Sequence, residues 1–142
     1  MSLSQVPGHD SIVTALKTIQ GVTVYEGQYL TDGAVPDMDA NGLFPPYITT
    51  VFGASYLGTS RGIVTERYNT MRTTCTVYVI TPTDRLTREY IDKVRDKLIG
   101  FAPTDGTPMH VFGGYEFVDS DLGVNRYIHS TVLQYESNVS PF

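Results

Sequence analysis

The residues in this chain with types that chemistry uses are a serine set between glycines, three histidines and a run of closely spaced acids. Residues 58–62 read GTSRG, which has the spacing of a nucleophile elbow with Ser60 in the nucleophile's place. An elbow works because a strand turns sharply into a helix and leaves the hydroxyl exposed at the helix N-terminus. The residues that follow, IVTERYNTMRTTCTVYV, read as strand, so the helix is missing and a glycine-rich hairpin tip is the better reading. His110 and His129 are the available bases, but no spacing ties either of them to Ser60.

Residues 37–42, DMDANG, match the first half of a calcium loop, with Asp37, Asp39 and Asn41 offering oxygens and Gly42 the sharp turn. The position that needs a bidentate glutamate holds Ile48, Pro45 and Pro46 occupy the approach to it, and no helical pattern flanks the loop. A solvated loop is the better reading, with a weak, adventitious cation site as the alternative. His9, His110 and His129 lack the spacing of metal ligands. Cys75 is the single cysteine, which excludes an intrachain disulfide and a cysteine-based zinc site. It lies in the strand pattern TTCTVYVIT and reads as a small buried hydrophobe. FGGY at 112–115 lacks the lysine and helix of a phosphate loop and reads as a bulge. No catalytic, cofactor or metal residues are assigned on this reading, and the chain is expected to act through its surface rather than as an enzyme.

The elements that must position these residues follow from pattern. At 142 residues, 41% hydrophobic and 18% charged, the chain reads as one soluble globular domain, with a core over about residues 10–137 and flexible ends at 1–9 and 138–142. Its net charge of −5 and dispersed basic residues argue against binding that rests on phosphate neutralisation. The first residues lack the cationic and apolar runs of a signal peptide, and no apolar stretch reaches membrane-spanning length, so the expectation is synthesis in a cytoplasm and no membrane partner.

Asp10 and Ser11 are expected to cap a helix whose apolar face is Ile12, Ala15, Leu16 and Ile19, with Gly21 ending it. VTVYEG from Val22 reads as a short strand, and residues 28–43 as a long loop. Pro45 and Pro46 stiffen the chain just before an alternating run, so a strand is predicted from Tyr47 to about residue 55. A long strand is predicted over 63–81, with Met71, Thr73, Cys75, Val77 and Val79 on one face. Pro82 stops it, Thr83 or Thr87 caps the next helix, and Leu86, Tyr90, Ile91, Val94 and Leu98 form its apolar stripe up to Gly100. Strands over 110–118 and 124–137 close the chain, the latter with Tyr127, His129, Thr131, Leu133 and Tyr135 on one face. The predicted fold class is α+β: a mainly antiparallel mixed sheet of about five strands with two helices packed on it, in the order α-β-β-β-α-β-β.

This layout resembles the tail terminator, or tail-completion, proteins of long-tailed non-contractile bacteriophages. The resemblance runs over roughly residues 10–137 and is carried by SIVTALKTI, VTVYEG, PPYITTVF, TTCTVYVIT, LTREYIDKVRDKLIG and RYIHSTVLQYES in that order. Pro46-Tyr47 and the strand–proline–helix passage over 78–98 are its most telling parts. It implies a virion protein at the head-proximal end of the tail. Copies would form a ring of about six that caps the tail tube, ends its growth and offers a surface to the head. The implied partners are further copies, the major tail tube protein and a head–tail connector, with DNA passing through the channel unbound. An acidic chain suits a channel that DNA must slide through. A closed ring needs two unlike patches on each copy. The hairpin tip carrying Tyr56, Leu57, Arg61, Glu66, Arg67 and Tyr68 is the candidate arm for that interface, since aromatics and arginine favour interface cores. Two alternatives stand beside this reading: another head–tail connector or head-completion protein, and a small serine hydrolase using Ser60.

Overall fold

The computed structural model describes residues 6–28, 36, 43–53, 56–57, 69–119 and 126–139. The first helix, α1, covers Val6–Leu16. It begins ahead of the expected Asp10-Ser11 cap and takes in residues 6–9, which sequence reading had placed outside the core. Pro7 fits there because the first turn of a helix has no use for its missing N–H. Ser11, freed from capping, donates its hydroxyl back to the Gly8 carbonyl at 2.7 Å and accepts from the Thr104 amide at 3.1 Å. The helix also ends before Gly21. A tight turn carries Ile19 into the core, with its amide donating to Leu16 O at 3.0 Å.

The strand β1 (Thr23–Tyr25) runs parallel to β2 (Tyr47–Phe52), which starts directly after Pro46 as the proline rule requires. β2 ends at Phe52, residues 54 and 55 of the predicted continuation lie outside the described residues, and a separate two-residue strand, β3 (Tyr56–Leu57), pairs with the same neighbour. That neighbour is β4 (Asn69–Thr81), antiparallel to both. Residues 63–68 of the expected long strand lie outside the described residues.

Thr83 takes an extended conformation and accepts a hydrogen bond from the Leu86 amide, capping α2 (Asp84–Leu98). Asp84 in its first turn and Arg95 and Lys97 in its last complement the helix dipole. Ile91, Val94 and Leu98 are buried as predicted, Leu86 and Tyr90 are half-buried, and Gly100, at φ +83°, ends the helix. Thr87, the other candidate cap, is instead buried inside the helix, where its hydroxyl donates to the Thr83 carbonyl at 3.0 Å or the Tyr127 carbonyl at 3.2 Å.

The chain closes with β5 (His110–Asp119) and β6 (Arg126–Val139). The predicted bulge in FGGY is present as a register shift between Val111 and Gly113. The sheet order is β1-β2-β4-β6-β5, with β3 attached to β4. The chain is thus an α+β fold whose five main strands and two helices follow the predicted element order, with the two-residue β3 added. α1 and α2 share one face of the sheet, over a core of Ile12, Leu16, Ile48, Cys75, Val77, Val79, Ile91, Val94, Leu98, Leu133 and Tyr135. The opposite face carries a smaller cluster, Phe44, Tyr47, Ile80 and Ile128, flanked by Tyr25 and Tyr78. No helix among the described residues is long and apolar enough to cross a membrane.

Candidate functional site

Strand alternation decides which side chains meet. Val79 and His129 are register partners on β4 and β6, and His129 is in turn opposite Glu116 on β5, so both polar residues point to the helix side of the sheet. There α2 brings Arg95 over them. The His129 ring donates or accepts at both nitrogens: Nδ1 lies 2.8 Å from Glu116 Oε1, and Nε2 lies 3.1 Å from Arg95 Nη2. The guanidinium can only donate, so Nε2 accepts from it and Nδ1–H donates to the carboxylate. A histidine oriented by a carboxylate resembles half of a catalytic triad. The nitrogen that a general base would use is already filled by Arg95, and no hydroxyl takes its place in this contact. The cluster ties α2, β5 and β6 together across the edge of the core.

The other chemistry-bearing residues are scattered. Cys75 is fully buried, and burial pushes its thiol up to about 12, so no thiolate is available to react. His9 lies flat on Phe52 at the α1–β2 contact, with ring centroids 3.9 Å apart. His110 is exposed at the start of β5. The three histidines therefore sit on separate elements. No group of histidine, cysteine and acidic residues suited to a metal ion occurs among the described residues. Ser60 and the Asp37, Asp39, Asn41 and Gly42 loop lie outside the described residues, as do Arg61, Glu66, Arg67 and Tyr68 of the candidate arm. Tyr56 and Leu57 of that arm form β3, in register with Arg72 and Met71 of β4.

The described surface has one feature that pattern reading missed. Among the described residues β5 is an edge strand, paired with β6 alone. Val111, Phe112, Tyr115, Phe117 and Val118 are exposed along it, and Tyr115 and Phe117 stack on each other at 5.4 Å. It carries no lysine and no proline. Lysine and proline are two of the means by which an edge is protected from pairing; a bulge, which β5 does carry, is another. The signal was present in HVFGGYEFVD, where large apolar residues fall at both parities of the strand, but it acquires meaning only when the strand is known to be an edge.

The flanking surface includes a half-buried ion pair, Arg72 to Glu136 at 2.8 Å, that links β4 to β6. On the sheet face away from the helices, Arg126 is buried and donates Nη1 to the Tyr47 hydroxyl at 3.3 Å. Open clefts of about 410 Å³ between α1 and α2 and about 220 Å³ between α2 and β5 are lined by groups with no catalytic pairing among them. The chain matches no protein-family model and no curated protein sequence.

Proposed function

We propose that this chain is a structural subunit that caps a phage tail tube as a ring of about six copies and offers the joining surface to the head. The observation that carries the reading is the ordered layout over residues 10–137. Its most characteristic passage is a long strand ending at Pro82, a Thr83-capped amphipathic helix, and two closing strands. The polar clusters of the described residues support it. Their donors and acceptors are spent on holding strands and helices together, which suits a protein whose output is shape.

The function needs two unlike surfaces that meet around a closed ring. The segment over residues 58–68, with Arg61 and Tyr68, is the proposed source of one of them. The test is assembly. The purified chain, mixed with tail tube protein, is expected to form rings visible by negative-stain microscopy and to stop tube growth at a fixed length. Arg61→Ala combined with Tyr68→Ala is expected to leave the chain folded and to weaken ring formation or head joining at least about tenfold, the loss of one interface anchor. Tubes that keep growing in the presence of the wild-type chain overturn the proposal.

A further inference from the structure

β5 presents two things at once: an outer side with no strand paired to it among the described residues, and exposed apolar side chains on both faces. Such an edge is a template for another strand. The opposite edge, β1, is three residues long and offers little of either. We propose that β5 pairs antiparallel with β5 of a second copy, joining two sheets into one across a two-fold axis.

The register follows from the strand itself. The Tyr115 amide donates to Ser130 Oγ at 3.1 Å, and the Tyr115 carbonyl accepts from the same hydroxyl at 3.2 Å, so both groups face β6. By alternation the N–H and C=O of Gly114 and Glu116 face outward. A two-fold axis at Tyr115 then lets Gly114 of one copy and Glu116 of the other exchange both hydrogen bonds. The two Tyr115 residues form the close, non-hydrogen-bonded pair at the centre.

Moving outward, Gly113 lies opposite Phe117, which gives each aromatic ring a flat glycine to cover. Beyond the bulge the faces of β5 exchange, so unbroken one-to-one pairing would set side chains from opposite faces against each other. The bulge at Val111/Gly113 takes up one residue and restores the match. Val111 then meets Val118, both on the helix side, and His110 falls in register with Asp119.

The self-complementary register of the strand favours a second copy as the occupant. A chain of net charge −5 repels itself unless the contact is poor in acid. In this register Glu116 falls opposite a glycine rather than another carboxylate, and it already holds His129. A two-fold contact cannot propagate head to tail, so it is separate from the ring interface and does not rest on the ring reading.

The experiment uses the full chain in sedimentation velocity over a wide concentration range. The wild type is expected to show a concentration-dependent dimer. Tyr115→Lys sets two like charges face to face at the axis and is expected to raise the dimer dissociation constant about 100-fold or more, with an unchanged circular dichroism spectrum. Should that variant unfold, cross-linking decides. Tyr115→Cys places two thiols in a close pair about 4.5 Å apart at Cα, within the range a disulfide spans. Mild oxidation is expected to convert Tyr115→Cys to a covalent dimer while Lys17→Cys, exposed in the turn after α1, stays monomeric. A wild type that remains monomeric throughout, association that ignores Tyr115→Lys in a folded variant, or a Tyr115→Cys chain that fails to cross-link overturns the proposal.

Discussion

His9 shows how a residue with catalytic potential is used for packing. Its ring stacks on Phe52 with an interplanar angle of 14°, fastening the start of α1 to the end of β2. Burial holds its pKa below the ordinary 6.5, and the neighbouring Asp10 carboxylate only partly offsets this. The sign of the linkage follows. Above pH 6.5 the ring is neutral in both folded and unfolded chains, and it adds no pH dependence. Below that value the unfolded chain takes up a proton that the folded chain resists, so stability falls with pH until the folded ring also protonates. His9→Phe keeps the stacked ring and removes the proton site. Denaturant midpoints of the two proteins are expected to differ by a constant amount above pH 7. Below about pH 6 the wild type is expected to lose stability relative to the variant. A difference that stays flat from pH 8 to pH 5 would mean that the ring is solvated. Gly114 is used for packing too: a Cβ there would run into the Ser130 carbonyl oxygen, so β5 and β6 come together over glycine.

At the scale of elements, α2 rests on two kinds of interaction whose strengths differ. The Thr83 hydroxyl accepts the Leu86 amide at 3.3 Å and is exposed to water, so Thr83→Ala is expected to cost about 1 kcal/mol, as for other N-caps. Leu98 is fully buried on the opposite end of the helix, in contact with the main core. Leu98→Asp places a carboxylate there without a partner and is expected to unfold the domain. Urea titration of both variants measures the contrast; a folded Leu98→Asp protein would show that the helix face was misjudged. The same helix explains what was legible beforehand. Its period, its cap and the proline before it are all local, and so are the alternation of β4 and β6 and the stiff start of β2. Where interactions are long-range, reading by pattern fell short. The start of α1 was placed too late because Pro7-Gly8 looks like loop. It is helix because Gly8 is small enough to lie beneath Tyr135, from the far end of the chain. Likewise, Arg95, His129 and Glu116 converge through three elements, and no spacing in the sequence announces them. Nor does strand pattern reveal which strand ends up at an edge.

For the whole molecule, the balance between charge and apolar surface sets how copies approach one another. Each copy carries −5, with acids spread through α1, α2 and the closing strands, so like charge opposes every contact between copies at long range. The β5 edge attracts through backbone hydrogen bonds and apolar burial, which act only on contact and do not depend on salt in the same way. Screening therefore removes the opposing term before it touches the favourable one. The Debye length shrinks from about 30 Å at 0.01 M salt to about 8 Å at 0.15 M. Self-association, whether as the β5 pair or as a ring, is expected to strengthen as sodium chloride rises through that range. Sedimentation velocity at fixed protein concentration checks this directly. If association instead weakened steeply with salt, ion pairs would be holding the copies together. The contact would then have to be sought on the charged face of α2, where Arg85, Arg88, Glu89 and Asp92 line an open surface, rather than along the apolar edge.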